Sequence, residues 1–208
     1  MSLGPKVVES AATHCTMWSG VVWVRRFMAF ARRITERLLH PLRRALAISR
    51  LRRAGVPKNV LFLCHGNICR SPYGASAFAN LLAPALRSAI SIASAGFFGP
   101  DRPSPPEAIS VARSRGVDLS THRSTLLSPG TVRAADLILV MDAAQRRTLR
   151  RRFSTSRCRV LVLGDLDPEP IRNRTIQDPV DRPADAFEST YARIDRCLGR
   201  LVCTFDAP

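Results

Sequence analysis

The residues best suited to chemistry lie in one short stretch, CHGNICRSP, at positions 64–72. It contains two thiols, Cys64 and Cys69, and Arg70 follows Cys64 by six positions. A thiolate is a strong nucleophile, and a guanidinium can donate two parallel hydrogen bonds to phosphoryl oxygens. The spacing therefore indicates nucleophilic attack on a bound phosphate. The alternative is that Cys-x5-Arg arises by chance and that Cys64 is only a buried thiol at a strand end.

The segments on either side of this stretch can position it. Residues 60–63 form an apolar run that predicts a buried strand, and Ser71 or Pro72 begins a helical pattern that continues to position 82. The loop amides between them have no helical partner and, with the helix dipole, favour an anion and the thiolate form of Cys64. Gly66 permits the tight turn, and Pro72 suits the first helical position. The Ser71 hydroxyl can donate to the sulfur when it acts as a leaving group.

The rest of the chain alternates strands with helices. Strands are predicted at 60–63, 91–95, 137–141 and 160–163, and helices at 71–82, 107–115, 143–153 and 186–202, with a proline-rich loop at 168–185. This order predicts an α/β fold, a three-layer doubly wound sandwich with a central four-stranded parallel sheet and a phosphate-binding loop after the first strand. Ligands on such sheets bind at the carboxyl ends of the strands, where Cys64 is expected.

The string CHGNICRSP resembles the signature of the low-molecular-weight protein tyrosine phosphatase family, C-x-G-N-I-C-R-S-P. Further similar stretches follow in the family's order, over about residues 58–205. They are SAG at 94–96, GVDLSTHRS at 116–124, ADLILVMD at 135–142 and DP at 178–179. The resemblance implies a protein-tyrosine phosphatase of the bacterial type.

The resemblance also implies a mechanism and its residues. Cys64 attacks the phosphate ester while Asp178, in the late D-P pair, protonates the leaving oxygen and then activates water against the cysteinyl phosphate. Another D-P pair, Asp167-Pro168, makes a simple turn the alternative interpretation of such an aspartate. The family's phosphate-binding loop corresponds to residues 64–71 of this chain. These are Cys64, His65, Gly66, Asn67, Ile68, Cys69, Arg70 and Ser71.

Residues outside the loop are implied to support it and to form the pocket. Asn67 is expected in a left-handed conformation, supported by Ser94 and His122. The family often has an aromatic residue after D-P, whereas this chain has Val180; Phe97 and Phe98 lie where its other aromatic wall is expected. Cys69 is implied either to form a reversible disulfide with Cys64 or simply to pack beneath the loop. No metal or cofactor is expected.

The first 56 residues are expected to be a basic amphipathic extension, and residues 57–208 the phosphatase domain. Residues 1–57 carry 11 basic and 2 acidic residues, a net charge of +9 within a total of +16. Apolar residues recur at one helical face, at Val24, Phe27, Met28, Ala31, Ile34, Leu38 and Leu42, and Pro41 is expected to break or restart the helix.

Residues 18–53 can therefore lie on an anionic membrane surface. The alternatives are a solvated basic extension, or a true start at Met17 or Met28. A specific nucleic-acid arm is not expected, because aromatic residues for base stacking are few. The apolar run at 18–24 is too short to span a bilayer, and six irregularly spaced cysteines indicate free thiols in a reducing cytoplasm.

Other functions remain open at this point. An arsenate reductase of the same fold would need two relay cysteines after the middle of the chain, but none lies between Ile109 and Phe153. A protein-arginine phosphatase typically carries Thr at the position of Ile68. A non-catalytic phospho-binding protein is disfavoured because Cys64, Arg70 and Asp178 are all present.

The implied partner is a phosphotyrosine protein. By analogy with bacterial members, it is a tyrosine kinase that controls polysaccharide export. The corresponding location is cytoplasmic, with peripheral association at the inner membrane face.

Overall fold

A four-stranded parallel sheet forms the centre of the protein. The structure, a computed structural model, describes residues 12–155 and 159–205, without the side chains at 12–26, 29, 30, 32 and 33. The strands are β1 (Asn59–Cys64), β2 (Ser91–Gly96), β3 (Leu137–Val140) and β4 (Arg159–Val162), in the order β2-β1-β3-β4. Val60 pairs with Ile92 on one side and with Leu137 on the other. The predicted α/β class and four-stranded parallel sheet are confirmed.

Helices connect the strands and cover both faces of the sheet. They are α1 (Ala12–Ala54), α2 (Arg70–Leu81), α3 (Pro84–Ala89), α4 (Pro106–Ser114), α5 (Pro129–Ala134), α6 (Ala143–Arg152) and α7 (Ala184–Val202), with a 3-10 turn at Leu163–Leu166. The four predicted body helices correspond to α2, α4, α6 and α7, within two residues at each end. The short helices α3 and α5 and the 3-10 turn were not predicted. Six-residue helices that begin with proline show too little periodicity to be distinguished from loops.

Alternation along β1 divides the core between the two faces of the sheet. Val60, Phe62 and Cys64 pack with α2, α4 and α7, whereas Leu61 and Leu63 pack with α5 and α6. All five residues are buried. This pattern is expected for a central strand, because successive side chains point to opposite faces and both faces are covered by helices.

The helix α1 continues through Pro41, although the sequence predicted that the helix would break or restart there. On both sides of Pro41, residues of α1 pack against the rest of the protein. His40 is buried and its Nε2 donates to the Asp167 carbonyl over 2.9 Å. Beyond the proline, Ala47 and Leu51 join the core beside α2 and α7. Tertiary contacts on both sides of Pro41 therefore stabilise a helix that local preference would interrupt.

Candidate active site

The sulfur of Cys64 lies at the carboxyl end of β1, beneath a loop that leads into α2. The Asn67 N–H donates to Cys64 Sγ over 3.2 Å, and the Ser71 Oγ lies 3.0 Å from the same sulfur. Cys64 and Ser71 are both buried. Hydrogen bonds to this sulfur stabilise the charge that it takes up as a leaving group.

Asn67 holds the loop in this shape. Its φ of 52° lies in the left-handed region, and its side-chain amide donates to Ser71 Oγ and Ser94 Oγ, both over 2.9 Å. The Nε2 of His122 donates to the Asn67 carbonyl over 2.7 Å. Since Ser71 Oγ accepts from Asn67, its own hydrogen can go to the Cys64 sulfur at 3.0 Å or to the Ala95 carbonyl at 3.4 Å. The structure thus brings Ser94 and His122, the two residues expected to support this loop, to Asn67.

A further support for Asn67 comes from main chain that the sequence did not single out. The Thr125 N–H donates to Asn67 Oδ1 over 2.7 Å, so the side-chain amide is bonded at both of its ends. Thr125 directly follows the THRS motif. Its contribution is a backbone group, and residue type gives no signal for such a contact.

Arg70 and Asp178 meet above the loop. Arg70 Nη2 forms a salt bridge with Asp178 Oδ2, and Arg70 Nη1 donates to the Ile176 carbonyl over 3.1 Å. The Arg70 side chain is 5% exposed and that of Asp178 44%. Arg70 Nε is buried and bonds no described residue. One guanidinium therefore fixes the loop that carries Asp178, and its Nε remains able to donate to an anion.

Two aromatic rings and the second thiol pack below the loop. Tyr73 stacks on Tyr191 with ring centroids 3.7 Å apart, and the Tyr73 hydroxyl donates to Asp195 over 2.8 Å. Cys69 is buried beside the core, and burial, followed by the charge of Cys64, raises the pKa of its thiol. Cys69 is therefore protonated near neutral pH, unlike a typical attacking thiol. This agrees with packing beneath the loop and leaves the predicted disulfide as a prediction.

A small cavity of about 110 Å³ lies over Cys64. Its wall includes His65, Gly66, Ile68, Cys69, Arg70, Asp178 and Val180, all named from the sequence, and also Arg102. Arg102 Nη2 donates to the Gly66 carbonyl over 2.9 Å and to the Phe98 carbonyl over 3.1 Å. Arg102 was missed because it lies in an irregular loop with no motif around it.

A larger cavity of about 510 Å³ adjoins the first and shares His65, Arg70 and Asp178 with it. We name it the α6 groove, lined by Asp142 at the N-cap of α6, by Ala144, Gln145, Thr148 and Arg152 of α6, and by Thr175 and Gln177. Phe97 and Phe98 also line this groove rather than the small cavity. The ring of Phe98 stacks on His65, with centroids 5.8 Å apart and planes inclined by 6°.

Other candidate groups lie away from this site. Among the described residues, no cluster of three or more His, Cys, Asp or Glu side chains has a metal-binding arrangement. Cys197 is buried in α7 and Cys203 is exposed just after it. Cys158 and the side chain of Cys15 lie outside the described part of the chain.

The chain is similar to proteins of known family. The family model described as low molecular weight phosphotyrosine protein phosphatase matches residues 59–207. A probable low molecular weight protein-tyrosine-phosphatase, EpsP of Ralstonia solanacearum, is 37% identical over 140 residues, which cover 67% of this chain and 90% of that protein.

Solved structures are similar as well. The tyrosine phosphatase Wzb from Escherichia coli K30, in complex with sulphate, superposes with a TM-score of 0.62 at 29% identity and covers 70% of this chain and 96% of its own. The YwlE arginine phosphatase from Geobacillus stearothermophilus has a TM-score of 0.63 at 24% identity, covering 72% and 94%. The latter similarity shows the fold alone.

Proposed function

The chain belongs to the low molecular weight phosphotyrosine protein phosphatase family, and from that premise we propose that it hydrolyses phosphotyrosine in proteins with Cys64 as nucleophile. It is a protein-tyrosine phosphatase by family. The position of the Cys64 sulfur supports the assignment of Cys64 as the nucleophile. The sulfur accepts a hydrogen bond from the Asn67 N–H, contacts the Ser71 hydroxyl and lies below a cavity lined by Arg70 and Asp178.

The first step transfers the phosphoryl group to the enzyme. The phosphate lies in the small cavity, where Arg70 and the amides of the loop bind its oxygens. The Cys64 thiolate forms a bond to phosphorus as the bond to the phenolic oxygen breaks. Asp178, in its acid form, gives its proton to that oxygen, so tyrosine leaves neutral. The products of this step are a cysteinyl phosphate and the Asp178 carboxylate.

The second step returns the enzyme to its starting state. The Asp178 carboxylate removes a proton from water as the water oxygen attacks phosphorus, and the sulfur–phosphorus bond breaks. The electron pair goes to Cys64 Sγ, where the Ser71 hydroxyl and the Asn67 N–H stabilise the departing thiolate. Inorganic phosphate is then released.

Hydrolysis of p-nitrophenyl phosphate by the purified protein tests the assignment. Cys64→Ser is expected to lose turnover, and Cys203→Ser is the matched control because Cys203 is exposed and lies outside the cavity. A cysteinyl phosphate should be recovered from acid-quenched wild-type protein. Wild-type turnover equal to that of Cys64→Ser would contradict the assignment.

Substrate choice within the fold is a separate question. We assign phosphotyrosine because Ile68 and Val180 give the small cavity an apolar wall that suits an aryl ring. Parallel assays with phosphotyrosine and phosphoarginine peptides, together with arsenate and a thiol donor, discriminate the alternatives. Preference for phosphoarginine, or arsenate-dependent thiol oxidation, would overturn the assignment.

The physiological substrate is proposed from the family resemblance, as a bacterial tyrosine kinase of polysaccharide export. Substrate trapping tests it. Asp178→Ala should retain the cysteinyl phosphate or the bound phosphoprotein, because the acid that serves both steps is missing. A phosphorylated kinase that wild-type protein leaves intact and that Asp178→Ala does not retain would contradict the proposal.

The helix α1 is proposed to contact an anionic membrane surface from the cytoplasmic side. No described helix is both long enough and apolar enough to cross a bilayer. Phe27 is 67% exposed and Leu38 72%, and Leu42 is exposed on the same helix, while Ala47 and Leu51 are buried against the body. An exposed apolar stripe among arginines supports binding at a lipid interface.

Removal of residues 1–56 would be a poor test of this contact, because it would uncover the core that Ala47 and Leu51 cover. In the full chain, Leu38→Glu combined with Leu42→Glu should reduce sedimentation with phosphatidylglycerol vesicles. Leu126→Glu, at an exposed apolar position far along the chain, is the control. Vesicle binding equal in wild type and the double variant would contradict a membrane contact through α1.

A further inference from the structure

The α6 groove continues from the catalytic cavity and has no assigned ligand. It shares His65, Arg70 and Asp178 with that cavity, so a peptide attached to a phosphotyrosine there can enter it directly. Ala144, Thr148 and Arg152 follow one another at intervals of four residues, which places them along one face of α6. That face forms one side of the groove.

The charge of α6 is wholly basic. Five of its ten residues are arginines, and none is acidic, in the sequence AAQRRTLRRR. Burial lowers the pKa of the Arg146 guanidinium, and neighbouring cations add to this effect. Those neighbours are Arg174, Arg150 and Arg50. The helix therefore lies in a positive field to which α1 and the loop before α7 also contribute.

The polar groups nearest the start of α6 have internal partners. Asp142 accepts the Gln145 N–H over 2.7 Å at the helix N-terminus, and Gln145 Oε1 accepts the Met141 N–H over 2.9 Å. Arg152 lies at the other end of the groove and is exposed, and its side chain has no hydrogen-bond or salt-bridge partner among the described residues. Its guanidinium is thus available to a ligand, whereas Asp142, which also lines the groove, caps the N-terminus of α6 and is stabilised there by the helix dipole.

We propose that the α6 groove binds acidic residues that flank the phosphotyrosine of the substrate protein, with Arg152 as the principal cation. This inference rests on the proposed function and adds the chemical class of the peptide. A guanidinium pairs well with a carboxylate, and charge complementarity at the edge of a binding site sets preference and association rate. Thr148 and Gln177 supply further hydrogen-bonding groups along the groove.

The geometry gives an approximate position for the acidic residue. Ala144 and Arg152 are eight residues apart, which corresponds to about 12 Å along an α-helix. An extended peptide covers that length in roughly four residues. The carboxylate that meets Arg152 should therefore lie three or four positions from the phosphotyrosine.

The test uses phosphotyrosine peptides that are identical except at the positions three and four residues before or after the phosphotyrosine. At these positions the peptides carry Glu, Gln or Lys. Wild-type protein should prefer Glu over Lys by about 3- to 10-fold in kcat/KM, as expected for surface charge pairs. Arg152→Glu should abolish or reverse that order. Arg87→Glu, in α3 at the opposite edge of the sheet, makes the same change in net charge outside both cavities.

Binding of the same peptides to Cys64→Ser, measured by fluorescence anisotropy, gives a readout that needs no turnover. A Glu preference that is lost in Cys64→Ser/Arg152→Glu and kept in Cys64→Ser/Arg87→Glu supports the inference. No Glu preference, or an equal loss in both double variants, overturns it. If the protein hydrolyses p-nitrophenyl phosphate but shows no preference among the peptides, the proposed phosphatase function stands and only the role of the groove is rejected.

Discussion

Arg70 and Asp178 form a salt bridge across the small cavity, joining the start of α2 to the loop before α7. The same guanidinium also bonds the Ile176 carbonyl. The proposed phosphate-binding cation thus positions the proposed general acid. Removal of either residue will disturb the other, so variants at the two sites should not be additive.

Asp178→Asn should slow turnover most for substrates with poor leaving groups. General acid catalysis typically contributes about 100- to 10,000-fold, and a phenolate of low basicity needs less of it. The measurement compares kcat for phenyl phosphate and p-nitrophenyl phosphate in wild type and variant. The loss should be clearly larger for phenyl phosphate. Equal losses would mean that Asp178 does not protonate the leaving oxygen.

Ser71→Ala and Ser94→Ala should separate loop support from leaving-group stabilisation. Both hydroxyls accept from the Asn67 amide, but only Ser71 lies against the Cys64 sulfur. Ser71→Ala should therefore slow hydrolysis of the cysteinyl phosphate by about 10- to 100-fold, on the scale of a lost transition-state hydrogen bond. A burst of p-nitrophenol in rapid-mixing experiments would report it. A burst of equal size in Ser94→Ala would contradict a specific role for Ser71.

Gly96→Ala should damage the active site without any change in its chemical groups. A Cβ at Gly96 would lie 2.9 Å from both the Asn67 nitrogen and the Gly66 carbonyl carbon, which are backbone atoms of the phosphate-binding loop. The loop must shift, and we expect at least a 10-fold loss of kcat/KM for p-nitrophenyl phosphate. Gly199→Ala in α7 is the control, since its Cβ would meet no atom within 4 Å. It should keep activity and gain up to about 1 kcal/mol in the free energy of unfolding.

Stability should fall as the pH rises above 9, because burial raises the pKa of Cys69 and of Cys197 in the folded protein. Below the usual thiol pKa both states hold the proton and stability is unaffected. Above the usual thiol pKa, each thiol loses its proton in the unfolded chain but keeps it in the folded protein. Each of the two thiols therefore lowers the free energy of unfolding by up to about 1.4 kcal/mol per pH unit. Urea denaturation at pH 7 and pH 10 measures the change. Cys197→Ala should lose less stability between these values than wild type; an equal loss would exclude Cys197 as a source.

Most of the fold could be predicted from the sequence, because most strands are apolar runs and the longer helices have apolar residues at helical spacing. The run at 60–63 is apolar at every position, and β1, which has partners on both sides, leads directly into the signature loop. The continuation of α1 past Pro41 could not be predicted, because the stabilising partner, the Asp167 carbonyl, is more than a hundred residues away.

The part of the candidate site that consists of side chains in recognisable sequence motifs could be predicted. Cys64, Arg70, Asn67 and Ser71 lie within eight residues, and the structure brings Ser94, His122 and Asp178 to them. Arg102, the Thr125 amide and the Ile176 carbonyl were missed. The Thr125 amide and the Ile176 carbonyl are main-chain groups, for which side-chain identity gives no signal, and Arg102 lies in an irregular loop with no motif around it.

The two groups proposed to do the chemistry belong to regions of different local stability. Cys64 ends a buried strand, so its displacement requires the sheet itself to open, whereas Asp178 lies on an exposed loop. Amide hydrogen exchange at Leu63 should therefore report global unfolding, while amides near Asp178 exchange through local opening. On gentle heating, proton transfer by Asp178 should therefore fail before Cys64 is displaced, so turnover of substrates with poor leaving groups should be lost before turnover of p-nitrophenyl phosphate.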